Sequence, residues 1–226
     1  MLLNHSQEWA IRVIQQTHAE YIVGVDEVGL GACAGPAIVC AAVFKKDWAG
    51  HPEVKDSKAY SGTDAQKKHE KRTKALEAFI KPVLVHREIY CVPHKGIDEI
   101  GLGPAIEDAM RRVSLKCSHF FPGCVVALDG DNKPYLQRAS AVVCLPKGDV
   151  LVPAISAASV IAKTTRDAVM FMYDDIHPGY SFRDHVGYFT ERHKQALIEK
   201  GPSPIHRMSY KNVQEIMALR QSLGAI

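Results

Sequence analysis

The chain has 226 residues, 46% hydrophobic and 23% charged, which fits a folded globular protein and excludes a disordered or fibrous one. Its net charge of +3 is only mildly basic and names no partner, although basic residues gather at Lys67, Lys68, Lys71, Arg72 and Lys74 and again at Lys194, Lys200, Arg207 and Lys211. No apolar run approaches the roughly 20 residues of a membrane span, the first residues do not read as a signal peptide, and six cysteines without a CxxC pair read as buried, reduced thiols of a cytoplasmic protein.

Trp9, Ile11, Val13 and Ile14 fall at amphipathic spacing and predict a helix over 6–18. Ile22, Val23 and Val25 predict a buried strand running through Asp26. Asp26 and Glu27 sit where that strand should stop. A bend there, permitted by Gly29 and Gly31, is expected to bring both carboxylates to one site, since consecutive strand residues otherwise point apart. Residues 36–44 are almost wholly apolar and predict a central strand. A loop over 45–62, a charged helix over 64–80 and a third strand over 83–92 follow. A short helical turn at 97–100 precedes a longer helix, opened by Pro104 and ending near His119. Residues 124–129 and 141–145 predict the fourth and fifth strands. The small residues Ser156, Ala157, Ala158 and Ser159 predict a helix over 153–172 lying close against the sheet. Helices near 190–199 and 211–223 complete the chain. Three contiguous strands followed by helix–strand–helix units predict an α/β fold, a mixed five-stranded sheet flanked by helices. Residues 1–175 are expected to form its core and 176–226 a C-terminal helical cap.

The chemistry lies in the acids. Asp129 ends the fourth strand as Asp26 and Glu27 end the first, so neighbouring strands would bring three carboxylates to one edge. Asp167, one turn beyond Lys163, is a fourth candidate. Crowded carboxylates repel and raise one another's pKa values, and divalent cations remove that penalty. Two cations roughly 4 Å apart suit phosphodiester hydrolysis. The turn Gly29-Leu30-Gly31 offers bare amides to a phosphate or hydroxyl, and Lys58 and Lys163 are candidates for phosphate contact. Asp131, Asp149, His185 and His193 lack ligand spacing and are read as structural.

Four stretches in order, GVDEVG (24–29), KDSK (55–58), LDG (128–130) and PAISAASVIAKTTRD (153–167), together with HVGYFTERH (185–193) and HRMSY (206–210), resemble the type 2 ribonuclease H (ribonuclease HII) family over about residues 21–213. The resemblance implies an RNase H-like core with a C-terminal helical extension. It also implies that Asp26, Glu27, Asp129 and Asp167 bind Mg²⁺ or Mn²⁺, two ions per site, and that Tyr188 packs against the sugar beside the cut. The implied activity is endonucleolytic hydrolysis of the RNA strand of RNA/DNA hybrids and cutting 5′ of single ribonucleotides in duplex DNA, leaving 3′-OH and 5′-phosphate ends. Primer and ribonucleotide removal would be its roles, in a monomer without membrane partners. Sugar identity would govern cleavage, because only the 2′-OH marks a ribonucleotide locally, whereas phosphates give affinity without sequence information.

Two positions depart from the family pattern: Leu30 stands where most relatives carry arginine, and Val186 where they carry lysine. The type 3 enzymes fit less well, since about twenty residues precede the first strand here. A non-catalytic nucleic-acid-binding protein of this fold is disfavoured by the four carboxylates, and a branched-DNA nuclease by the Gly turn and the Tyr188 segment.

Overall fold

The computed structural model describes residues 3–54, 60–62, 64–130 and 136–224. Five strands, β1 (Tyr21–Val28), β2 (Ala37–Lys45), β3 (His86–Val92), β4 (Val125–Asp129) and β5 (Ala141–Leu145), form one sheet in the order β3-β2-β1-β4-β5. β1, β2 and β3 pair antiparallel, and β4 and β5 continue parallel to β1, giving the expected mixed sheet.

Strand alternation sorts the core into two faces. Ile22, Ile38, Cys40, Ala42 and Phe44 pack with α1 (His5–Gln16), α2 (Ala65–Ala75) and the long α6 (Pro153–Ile176). Val23, Val25, Val39, Ala41 and Val43 pack with α4 (Leu102–Phe120). Because both faces are covered, the central strands are apolar throughout. α6 lies against β1 at Gly24, where a Cβ would stand 2.0 Å from the Ala154 carbonyl carbon. The small residues of α6 and this glycine together set the helix-to-sheet distance. At the start of the chain, Asn4 caps α1 by accepting from Gln7 N–H at 2.9 Å, and Gln7 donates to the Pro146 carbonyl at 2.8 Å beyond β5.

Several boundaries differ from expectation. β1 continues in regular pairing through Val28, with Asp26 opposite Cys40 and Glu27 opposite Val39, so no bend separates the two acids. β3 begins at His86, because a turn in which Val83 N–H donates to the Ile80 carbonyl occupies the residues before it. α2 ends in a π-helical turn, Leu76–Ile80, and α3 (His94–Ile100) is longer than the single turn expected. α4 opens at Leu102, and Pro104 sits in its first turn, where no amide donor is needed. α6 extends to Ile176, and the short helices α5 (Gly148–Leu151) and α7 (Phe182–His185) occupy segments expected to be turns. Cys91 is exposed on the edge strand and Cys144 half-buried; the other four cysteines are buried, and all six are free thiols. No helix among the described residues is long and apolar enough to cross a membrane.

Residues after α6 add α8 (Glu191–Lys200) and α9 (Lys211–Ser222), and a third apolar cluster forms from Ala34, Met170, Tyr180, Phe182, Val186, Ala196 and Ile205. Three histidines are buried there: His185, His193 and His206. Burial is the largest cause holding all three below the usual imidazole range, His193 down to about 3 and His206 to about 4. The unfolded chain, with imidazoles near 6.5, takes up protons that the native protein refuses. Stability from these groups is therefore fully present above that value and is lost as pH falls toward the native values. We expect the His193 and His206 NMR resonances to remain those of neutral rings down to about pH 5, with the denaturation midpoint falling below about pH 6.5. Titration of either ring near 6.5 would contradict this.

Candidate active site

The last β1–β4 rung joins Val25 to Leu128, and the next residues along these parallel strands are Asp26 and Asp129. Strand order thus brings the two carboxylates side by side. Asp26 is only 5% exposed. Its pKa is raised well above the usual carboxylate value, first by burial and then by the charge of Glu27, with Asp129 adding to it and a hydrogen bond from Ser159 of α6 opposing. Glu27 leaves the opposite face of the regular strand, so it reaches Asp26 through its field rather than through a kink. Asp129 Oδ1 accepts from Gly148 N–H at 2.7 Å, at the start of α5.

Ser159, Lys163 and Asp167 are four residues apart and share one stripe of α6. Asp167 is fully buried between two cations: Lys163 Nζ donates to Oδ1 at 2.6 Å, and an Arg72 guanidinium nitrogen, from α2, donates to Oδ2. Burial, opposed by Asp167, lowers the Lys163 pKa to about 8. Lys163, a candidate for phosphate contact, is paired with Asp167. Among the described residues, no three His, Cys, Asp or Glu side chains are gathered as a ready cation cage. Glu27 and Asp129 both act on Asp26 through their charge, while Asp167 has two counterions of its own.

The Gly turn is held from behind. Gly29 has φ +91°, and a Cβ there would lie 2.2 Å from Arg166 Nε, so both backbone and space require glycine. Arg166 is completely buried and donates to the carbonyls of Pro36 at 2.9 Å, Val186 at 2.7 Å and Ala34 at 3.2 Å. Arg207, also buried, donates to the carbonyls of Gly35 at 3.0 Å and Leu30 at 3.1 Å. Leu30 packs its side chain on the α4-side core, and Val186 turns inward at φ +45°. Half-buried Tyr188 borders the turn: a Cβ on Gly31 would be 3.9 Å from its ring, and Lys163 Nζ lies 5.5 Å from the ring centre. The expected grouping of turn, Lys163 and Tyr188 is therefore present. Lys58 and Asp131 lie outside the described residues, and Asp149 is buried within α5.

Residues 23–213 match the family profile described as Ribonuclease HII. A Rhodococcus erythropolis protein named Ribonuclease HII is 40% identical over 193 residues, 85% of this chain and 80% of that one. The chain belongs to the ribonuclease HII family. It is a type 2 ribonuclease H, an endoribonuclease that hydrolyses RNA in RNA/DNA hybrids. The fold agrees with the ribonuclease H2 of Pyrococcus horikoshii (TM-score 0.69, 22% identity, 89% of this chain and 99% of that one). It also agrees with a Bst ribonuclease HIII solved in complex with Mn²⁺ (TM-score 0.65, 16% identity, 94% of this chain and 74% of that one).

Beyond the residues expected from sequence, this ribonuclease HII uses Ser159 against Asp26, Arg72 against Asp167, and Arg166 and Arg207 behind the turn. An arginine inside the apolar run of α6 was the one visible signal, for Arg166. Asp26 is costly to the metal-free protein: a carboxyl with a raised native pKa contributes stability below its unfolded value that is lost as pH rises. Asp26→Asn should accordingly stabilise the metal-free enzyme at neutral pH by about 0.5–2 kcal/mol, read by thermal melting. A lower melting temperature would contradict the raised pKa.

Proposed function

We propose that Asp26, Glu27, Asp129 and Asp167 are the catalytic carboxylates and hold Mg²⁺ or Mn²⁺, two ions per site. The observation that carries this is Asp26, an acid buried at a parallel strand end and pushed toward its neutral form by Glu27 and Asp129. A set of oxygen ligands with excess negative charge suits hard cations, and their binding would relieve that crowding. Family membership and the Mn²⁺ complex of the ribonuclease HIII relative support the same reading. Bound cations would acidify an attacking water and neutralise charge on the leaving 3′-oxygen.

The chain's own residues do the rest. Amides of Gly29, Leu30 and Gly31 face the 2′-OH and adjacent phosphate, and the Tyr188 ring checks the sugar. Lys163, between Asp167 and Tyr188, lies at the edge where a phosphate would approach. Lys58 is assigned to the same backbone. We propose further that the enzyme cuts 5′ of a single ribonucleotide in duplex DNA and acts as a cytoplasmic monomer. Residues 1–175 form its core in this reading, and 176–226 a cap that carries Tyr188.

Two labelled duplexes, a hybrid and a DNA containing one ribonucleotide, each with Mg²⁺ and Mn²⁺, test this against Asp129→Asn. Cutting of both duplexes by the wild type and of neither by the variant is expected; metal-independent cutting, or a fully active variant, would overturn the assignment. Leu30 offers no charge, and its arginine neighbours Arg166 and Arg207 are buried on carbonyls. Leu30→Arg should therefore tighten substrate binding and steepen its logarithmic salt dependence by about one. Unchanged affinity and slope would remove Leu30 from the substrate path.

A further inference from the structure

The buried histidines form a directed hydrogen-bond chain ending at Tyr188. Ser203 N–H donates to His206 Nδ1 at 2.8 Å, shorter than the 3.3 Å contact of that nitrogen with the Ser203 carbonyl, which makes Nδ1 the acceptor and leaves the ring proton on Nε2. His206 Nε2 is 3.0 Å from His193 Nε2, so His206 donates and His193 accepts. The His193 proton then resides on Nδ1, 2.9 Å from the Tyr188 carbonyl oxygen. That carbonyl also accepts from Thr190 N–H at 3.0 Å. One backbone amide thus fixes both tautomers, because an N–H cannot reverse its role.

The surroundings hold the chain in place. His185 stacks on His193 at 4.3 Å, and its own tautomer is set by Gly187 N–H donating to Nδ1 and Nε2–H donating to the Tyr180 carbonyl. Phe182 meets His193 edge-on, and Cys33 Sγ lies 3.5 Å from both the Gly187 carbonyl and His193 Nδ1.

We propose that His193, oriented by His206, is a positioning residue that fixes the Tyr188 backbone and so places its ring against the sugar. This rests on the assignment of Tyr188 to sugar contact. Phosphate contacts give affinity without reading the sugar, so loss of a chain that acts on the sugar-facing ring is expected to appear in turnover.

The test compares wild type, His193→Leu, His193→Asn, Tyr188→Ala and the Tyr188→Ala/His193→Leu double variant on an RNA/DNA hybrid with Mg²⁺. His193→Leu should lower kcat about 10- to 100-fold with KM changed by no more than about twofold. His193→Asn, whose amide N–H replaces Nδ1–H, should recover most of the loss. The double variant should be no slower than Tyr188→Ala alone. Additive losses, or Asn no better than Leu, would overturn the proposal. Wild-type turnover in Tyr188→Ala would instead overturn the sugar-contact reading beneath it. Should His193→Leu not fold, long-range ¹H–¹⁵N spectra of the histidine-labelled wild type decide independently. Protons on His206 Nε2 and His193 Nδ1 are expected, and either opposite tautomer would overturn the chain.

Discussion

Two guanidinium groups buried without a carboxylate shape this enzyme. Arg166 and Arg207 donate to main-chain carbonyls of residues 30, 34, 35, 36 and 186, all of them in segments outside regular helix or strand, and Arg207 donates also to the Tyr210 hydroxyl while its Nη2 stays buried without a partner among the described residues. Buried charge is tolerated only where hydrogen bonds replace water, and buried carbonyls need donors. For Arg166 each requirement satisfies the other, and for Arg207 all but one nitrogen is satisfied. The loop is thereby fixed from behind by side chains of the core.

The acids show the reverse condition. Asp26 is crowded and desolvated, and Asp167 is neutralised by Arg72 and Lys163. The ribonuclease HII site therefore has unrelieved charge at the strand ends and compensated charge on α6. In the proposed assignment a cation arriving at Asp26 would meet a group that gains from it, whereas one arriving at Asp167 would compete with two side chains already in place.

Much of this could be read in the sequence because local pattern sufficed. β-branched runs ended by acids gave β1 and β4, and the run of small residues in α6 foretold its contact with Gly24. Where pairing across distance decides, the sequence was silent. Arg72 meets Asp167 across 95 positions, and nothing in a lysine-rich helix sets that arginine apart from its solvated neighbours. The expected bend falls at Gly29 and not between the two acids, because β2 pairs with β1 as far as Val28. Cys91 read as buried because its strand is apolar in part, yet it lies on the sheet's outermost strand.

The hydrogen bond from Arg207 to Gly35 spans 172 residues, and those from Arg207 and Tyr210 to Leu30 span 177 and 180. During synthesis the strands bearing Asp26 and Asp129 are complete long before residue 207 exists. Contacts of such separation form late, after the chain has met the entropy of closing large loops. The polypeptide thus acquires its acidic centre early and the bracing of its glycine turn last, and an unfinished chain carries the former without the latter.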